Sequence, residues 1–200
     1  MACYHPITAY RSRTINPSGK RGIVFDKLKS FVDLDPLQIP CGQCIGCRLE
    51  RSRQWAIRCM HESSLYDDNC FLTLTYDNTN LPHVLDKETG ELKPSLNKRD
   101  IVLFLKRLRK SYPDIKIRFF QCGEYGEVCY YCKQAKRSCI CGNYKPDLGR
   151  PHHHVLLFNF NFADRKFFRS VNGQLLYRSA ELERLWPLGL SAIGSVTDVS

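Results

Sequence analysis

Gly149-Arg150-Pro151-His152-His153-His154-Val155-Leu156-Leu157-Phe158 is the stretch on which the reading of this chain turns. Three histidines run into an apolar segment of β-branched, aliphatic and aromatic residues, which predicts a strand over 152–159. Side chains alternate between the faces of a strand. His152 and His154 then point one way with Leu156 and Phe158, while His153, Val155 and Leu157 point the other way. Two imidazoles two residues apart on one face reach a single divalent ion. A third ligand has to come from a neighbouring strand, and Cys122-Gly123-Glu124-Tyr125-Gly126-Glu127 offers Glu124 or Glu127. Glu124 lies nearest the strand end and is preferred. Two imidazoles and a carboxylate leave coordination positions open, as a catalytic metal requires. The mixed donor set suits Mn²⁺ or Mg²⁺, Mn²⁺ being the better match to imidazole. The alternative is a surface strand that carries three polar histidines and no metal.

The pattern on either side supplies the partners of this strand. Cys70 to Tyr76 is compact, β-branched and aromatic, and predicts a second strand. Ile115 to Gln121 predicts a third, and Ser191 to Thr197 a fourth. Ile101, Phe104, Leu105 and Leu108 recur at helical spacing, so a helix is expected from Asn97 to Lys110, capped by Asn97 and stopped by Pro113. A short helix is expected from Ser179 to Trp186, with Leu182, Leu185 and Trp186 on one side. Arg48 to about Leu65 reads as a basic helix whose apolar face is Leu49, Ala56, Cys59 and Met60. Thr89-Gly90 marks a hairpin tip, Asn16 to Gly19 a turn, and Tyr4–Tyr10 and Gly22–Phe25 short strands. Strands interspersed with amphipathic helices predict an α+β fold, a central antiparallel sheet with helices packed on one face.

With 200 residues, 43% of them hydrophobic and 25% charged, the chain is long enough to bury a core and ordinary enough in composition to exclude wholesale disorder. No apolar run approaches the roughly 18 residues of a membrane span. The N-terminus lacks the basic-then-apolar pattern of a secretory signal. A net charge of +10 favours a polyanionic partner, nucleic acid before membrane.

Eleven cysteines without a signal peptide are expected as thiols rather than disulfides, and they cluster. Cys129, Cys132, Cys139 and Cys141 form C-x2-C-x6-C-x-C within residues 128–148, the spacing of a structural Zn²⁺ knuckle. Around them Tyr130, Tyr131, Lys133, Lys136 and Arg137 interleave aromatics with cations, either as a platform for single-stranded DNA or as packing around the zinc. Cys41, Cys44 and Cys47 need a fourth ligand. Cys3 would complete a zinc site in the N-terminal segment 1–48, with His5 as the substitute ligand and a [4Fe–4S] cluster as the rival occupant. Cys59, Cys70 and Cys122 are expected to be small buried apolar residues.

Phe71-Leu72-Thr73-Leu74-Thr75-Tyr76, then Phe119-Phe120-Gln121-Cys122-Gly123-Glu124-Tyr125-Gly126, then Gly149-Arg150-Pro151-His152-His153-His154 resemble, in that order, the motifs of HUH replication-initiation endonucleases. The chain is most similar to the replication initiators of gokushoviruses, single-stranded DNA phages of the Microviridae. Ile39-Pro40-Cys41-Gly42-Gln43-Cys44-Ile45-Gly46-Cys47-Arg48-Leu49 and Gln54-Trp55-Ala56-Ile57-Arg58 look like that family's N-terminal signature. The resemblance spans most of residues 1–200. It implies an HUH-type core, a metal on His152, His154 and Glu124, and DNA contacts from Arg150 and Tyr125. It also implies rolling-circle nicking and rejoining of single-stranded origin DNA through a phosphotyrosine, in the bacterial host's cytoplasm and beside host helicase and polymerase. Two departures accompany it. The insertion at 128–148 separates motifs that usually adjoin. The nucleophilic tyrosines, on a helix after the strand resembling Ser191–Ser200, are expected just beyond Ser200, so the domain reads as C-terminally incomplete and this chain as unable to nick. Tyr177 precedes that helix and reads as structural or as a DNA contact. The rival functions are a non-catalytic zinc-containing single-stranded DNA-binding protein, and a plasmid or transposon HUH nuclease.

Overall fold

The computed structural model describes residues 3–31, 35–126 and 149–196, which fall into two compact units, Met1–Cys59 and Met60–Ser200. In the first, β1 (Ile7–Ile15) lies between β2 (Arg21–Val24) and β3 (Leu37–Ile39), all antiparallel. The expected turn at Asn16–Gly19 joins β1 to β2, with Gly19 N donating to Asn16 O at 2.8 Å. β1 extends well past Tyr10 because its later residues pair with β2, and β3 carried no sequence signal of its own. Helix α1 (Ile45–Ser63) starts earlier than Arg48. Its expected apolar face is not buried: Leu49 and Met60 are exposed, and of its residues only Gly46 is buried.

The second unit is an α+β domain, as the pattern predicted. Its sheet contains β4 (Asn69–Thr75), β7 (Arg118–Tyr125), β8 (Pro151–Phe158), β9 (Lys166–Val171), β10 (Gln174–Arg178) and β11 (Ser191–Gly194). The order is β7-β8-β4-β11-β10-β9, and every pairing is antiparallel. A hairpin of β5 (His83–Leu85) and β6 (Leu92–Pro94) stands apart, with its tip at Thr89-Gly90 as expected.

Alternation along the strands decides the two faces. Leu72 and Leu74 of β4, Val155 and Leu157 of β8 and Ile193 of β11 are buried on one side. Helices α2 (Lys98–Ser111) and α3 (Ala180–Leu185) cover that side with Ile101, Phe104, Leu105, Leu108, Leu182 and Leu185, and Trp186 fills the space between them. Burying a side chain of this kind is worth about 1.5–3 kcal/mol, so this layer holds the sheet in one register. Both helices start at their expected caps. Asn97 Oδ1 accepts from Arg99 N at 3.0 Å, and Ser179 Oγ accepts from Leu182 N at 3.0 Å.

Three expectations need correction. The strand read at Ile115–Gln121 runs instead from Arg118 to Tyr125, because pairing with β8 continues to Tyr125 opposite Pro151. Cys122 is exposed rather than buried, because it lies on the sheet face opposite the helices; Cys59 is half-buried and Cys70 buried. Burial pushes the Cys70 thiol up to about 12. The β9–β10 hairpin went unread, although Asn172-Gly173 at its tip is a strong hairpin signal. Both residues have positive φ, 50° and 81°, as a two-residue type I′ turn demands.

The stem where β7 and β8 meet is closed tightly. Gly126 N donates to Arg150 O at 3.0 Å, and a Cβ at Gly149 would overlap the Gly126 backbone. The proposed knuckle Cys129, Cys132, Cys139 and Cys141, its companions Tyr130, Tyr131, Lys133, Lys136 and Arg137, and the alternative ligand Glu127 lie outside the described residues, as does Thr197.

Candidate metal centre on the open sheet face

The register of β7, β8 and β4 builds the centre. Glu124 stands opposite His152, which stands opposite Thr75; Cys122 stands opposite His154, which stands opposite Thr73. These side chains alternate with the buried set, so they rise from the face the helices leave open. Glu124 Oε2 is 3.2 Å from His154 Nε2 and 3.8 Å from His152 Nε2. The three ligand atoms lie within 4.8 Å of one another.

Both imidazoles are oriented from behind. His152 Nδ1 lies 3.2 Å from Arg150 O, and His154 Nδ1 lies 3.3 Å from Thr73 Oγ1. An N–H on each Nδ1 would satisfy those oxygens and leave both Nε2 lone pairs facing the Glu124 carboxylate. That arrangement is typical of metal-binding histidines. Phe71 stacks on His154, with ring centroids 5.0 Å apart. Burial, then the neighbouring His152, lowers the His154 pKa, which favours the neutral ligand form. The residues present therefore fit a divalent ion. Glu124 is 57% exposed against 18% and 21% for the two histidines, so the centre opens on the carboxylate side.

Sequence reading missed the support beneath the triad. His153 faces the core, and its Nε2 lies 3.2 Å from Tyr76 Oη, which donates to Asp100 Oδ2 at 3.0 Å. Trp186 donates through Nε1 to Thr75 O at 2.9 Å and packs against both His153 and Tyr76. The signal was Tyr76 at the end of a strand beside a histidine pointing inward. Arg150 turns back onto the chain: Nε and Nη2 donate to Tyr76 O at 3.1 and 2.6 Å, and Nη1 to Asn78 Oδ1 at 2.9 Å. Tyr125 Oη accepts from Leu96 N at 3.2 Å. Tyr177 is partly buried against the core.

In the N-terminal unit, Cys3, Cys41, Cys44 and Cys47 bring four sulfurs within 4.8 Å of one another. Cys3 Sγ and Cys44 Sγ are 3.8 Å apart. A tetrahedron with Zn–S bonds of about 2.3 Å has sulfurs about 3.8 Å apart. Backbone N–H groups point at the sulfurs, Cys41 N at Cys3 Sγ and Cys44 N at Cys41 Sγ, each at 3.3 Å. The Cys47 and Tyr4 N–H groups pull the Cys44 thiol down to about 6. Although the Gly42 N–H lowers Cys47, burial and the three neighbouring thiols push it up to about 12. Four thiolates this close need a cation.

An antiparallel sheet that presents two histidines and a glutamate on its open face, in a chain that also carries a four-thiol cluster, defines an α+β protein with two potential metal centres. The chain belongs to the family of replication-associated protein ORF2, whose model matches residues 69–200. It is 35% identical over 198 residues to replication-associated protein VP4 of Bdellovibrio phage phiMH2K, covering 98% of the chain and 54% of that protein. It is 30% identical over 178 residues to replication-associated protein ORF2 of Spiroplasma virus 4, covering 86% of the chain and 48% of that protein. A third relative is replication-associated protein ORF4 of Chlamydia phage 1, 28% identical over 170 residues, with 80% and 35% covered. The resemblance to microvirus replication proteins is thereby borne out. The chain spans about half the length of the first two relatives. No solved structure matches it. Among the described residues no helix is long and apolar enough to cross a membrane.

Proposed function

We propose that this chain carries the metal-binding part of a rolling-circle replication initiator, an HUH-type endonuclease and strand transferase acting on single-stranded phage origin DNA in the host cytoplasm. The observation that carries the reading is the convergence of Glu124, His152 and His154 on an open sheet face. Mn²⁺ or Mg²⁺ held by these three would supply Lewis-acid polarisation of the scissile phosphate. The protein's own part is positional. Arg150 O and Thr73 Oγ1 fix the two imidazoles, and the exposed carboxylate side leaves room for a phosphate. Attack by a tyrosine, with the phosphodiester held as a phosphotyrosine until rejoining, is what the resemblance implies. We assign no nucleophile within residues 1–200. The four-cysteine cluster is read as a structural Zn²⁺ site, and the knuckle at 128–148 as a second. Host helicase and polymerase are the expected partners.

The test is Mn²⁺ titration followed by electron paramagnetic resonance, paired with fluorescence anisotropy of a labelled single-stranded oligonucleotide. The expected result is one Mn²⁺ per chain and tighter DNA binding with Mn²⁺, both lost in the His152→Ala, His154→Ala double variant. Mn²⁺ binding that survives the double variant overturns the ligand assignment. Wild-type protein that binds neither Mn²⁺ nor single-stranded DNA overturns the function.

A further inference from the structure

The far edge of the sheet holds a feature that the triad does not explain. Strand β9 ends the sheet order and is exposed along its whole length. Phe167 is 60% exposed, Phe168 50%, Leu175 48% and Val171 41%. Edge strands are normally blunted by charge or covered, and clustered exposed apolar residues mark a binding surface. From Arg165 to Arg178 the hairpin carries four cations and no carboxylate. Arg169 and Arg178 each lie over the Phe168 ring at 5.4 Å, and Arg165 lies over Tyr177 at 5.9 Å. Arg178 also pairs with Glu183 at 2.7 Å, which leaves Arg165, Lys166 and Arg169 to face an outside anion.

A cavity of about 490 Å³ links this edge to the triad. Its lining includes Thr73 and His154 at one end and Leu175 and Leu176 of the hairpin at the other. Strand register explains the continuity. Leu156 pairs with Phe71 and Phe71 with Gly194, while Leu176 lies beside Gly194 and pairs with Arg169. The row makes an apolar floor that ends in a cation.

We propose that the β9–β10 hairpin is a single-stranded DNA arm. Bases stack on Phe167 and Phe168, phosphates meet Arg165, Lys166 and Arg169, and the strand between hairpin and triad crosses the cavity. Exposed aromatics interleaved with cations form the sequence-tolerant platform of single-strand binders. The cavity running to His154 favours DNA over a lipid surface or a second copy of the chain. The inference rests on the single-strand reading above and adds a contact surface remote from the metal ligands.

The experiment measures binding of the 200-residue chain to a fluorescein-labelled oligothymidylate of about 20 nucleotides, in EDTA so that the triad is silent. The Phe167→Ser, Phe168→Ser variant is expected to bind at least about tenfold more weakly. Arg169→Ala is expected to reduce the slope of log affinity against log salt by roughly 0.7. Phe168→Tyr, which keeps a ring for stacking, should bind as wild type. Unchanged affinity in a serine variant whose circular dichroism and melting match wild type overturns the inference and leaves the triad reading standing. So does loss of self-association, or of binding to phosphatidylserine vesicles, while DNA affinity stays at the wild-type value. Failure of the wild-type chain to bind the oligonucleotide with or without Mn²⁺ removes the underlying reading as well.

Discussion

The thiol cluster of the N-terminal unit and the Glu124–His152–His154 triad of the sheet are both convergent donor sets, but they suit different work. Four sulfurs, each in range of the others, complete a tetrahedron and leave no position for a substrate. Two nitrogens and one exposed carboxylate leave several positions open, and their hardness suits a cation that also binds phosphate oxygens. The first set ties Cys3 to the start of a helix. The second stands on three paired strands that are already rigid. A metal is expected to create order in the first and to find it in the second.

The largest effect that would break this contrast is expected at the cluster. Cys44→Ser should release the bound zinc and unfold the segment around it, because structural zinc sites carry apparent binding energies of about 10–16 kcal/mol. Zinc release with a colorimetric chelator, alongside proteolysis of residues 3–59, reads the outcome; an intact, protease-resistant segment without zinc would erase the distinction. At the triad, His154→Ala should leave the melting temperature near wild type while lowering Mn²⁺ affinity by about 100-fold or more, beyond the roughly 10–100-fold seen for outer-shell losses. Calorimetric titration decides, and a large fall in stability would make the triad structural too. The smallest effect is a pH dependence. Burial, ahead of nearby charges, lowers the pKa of His153 and His154. Their folded values therefore lie below the unfolded value of about 6.5. The unfolded chain then binds more protons, so this stability is fully present above about 6.5 and is lost as pH falls through the folded values. Melts in EDTA on both sides of that pH should show it, and His153→Leu should flatten the slope.

Much of the sheet unit was legible because local chemistry and tertiary packing agreed. Asn97 and Ser179 start helices whose apolar residues are the ones the core buries. His152 and His154 share a face because period-two alternation needs no tertiary information. Glu124 was legible only as a candidate, since its register against His152 depends on how far β7 extends. Cys122 misled because a cysteine inside an apolar strand says nothing about which face is covered. The apolar face of α1 misled for a related reason: periodicity shows that a stripe exists, not that anything packs on it. Cys3 was placed with its partners by elimination, and no local pattern linked it to residues 41–47. The β9–β10 hairpin was missed because its strands are exposed on both faces and lack alternation, although Asn172-Gly173 announced the turn.

The pinch between Gly126 and Gly149 has an architectural consequence. The two strands that carry Glu124 and His152 are stapled together just before the intervening segment departs, so their register is set by the stem. Lengthening a loop whose ends are already joined costs little, each doubling adding only about 0.6 kcal/mol. The stem thus acts as a socket. Residues 127–148 can be exchanged as a cassette, longer, shorter or of different chemistry, while the ligands beside it keep their spacing.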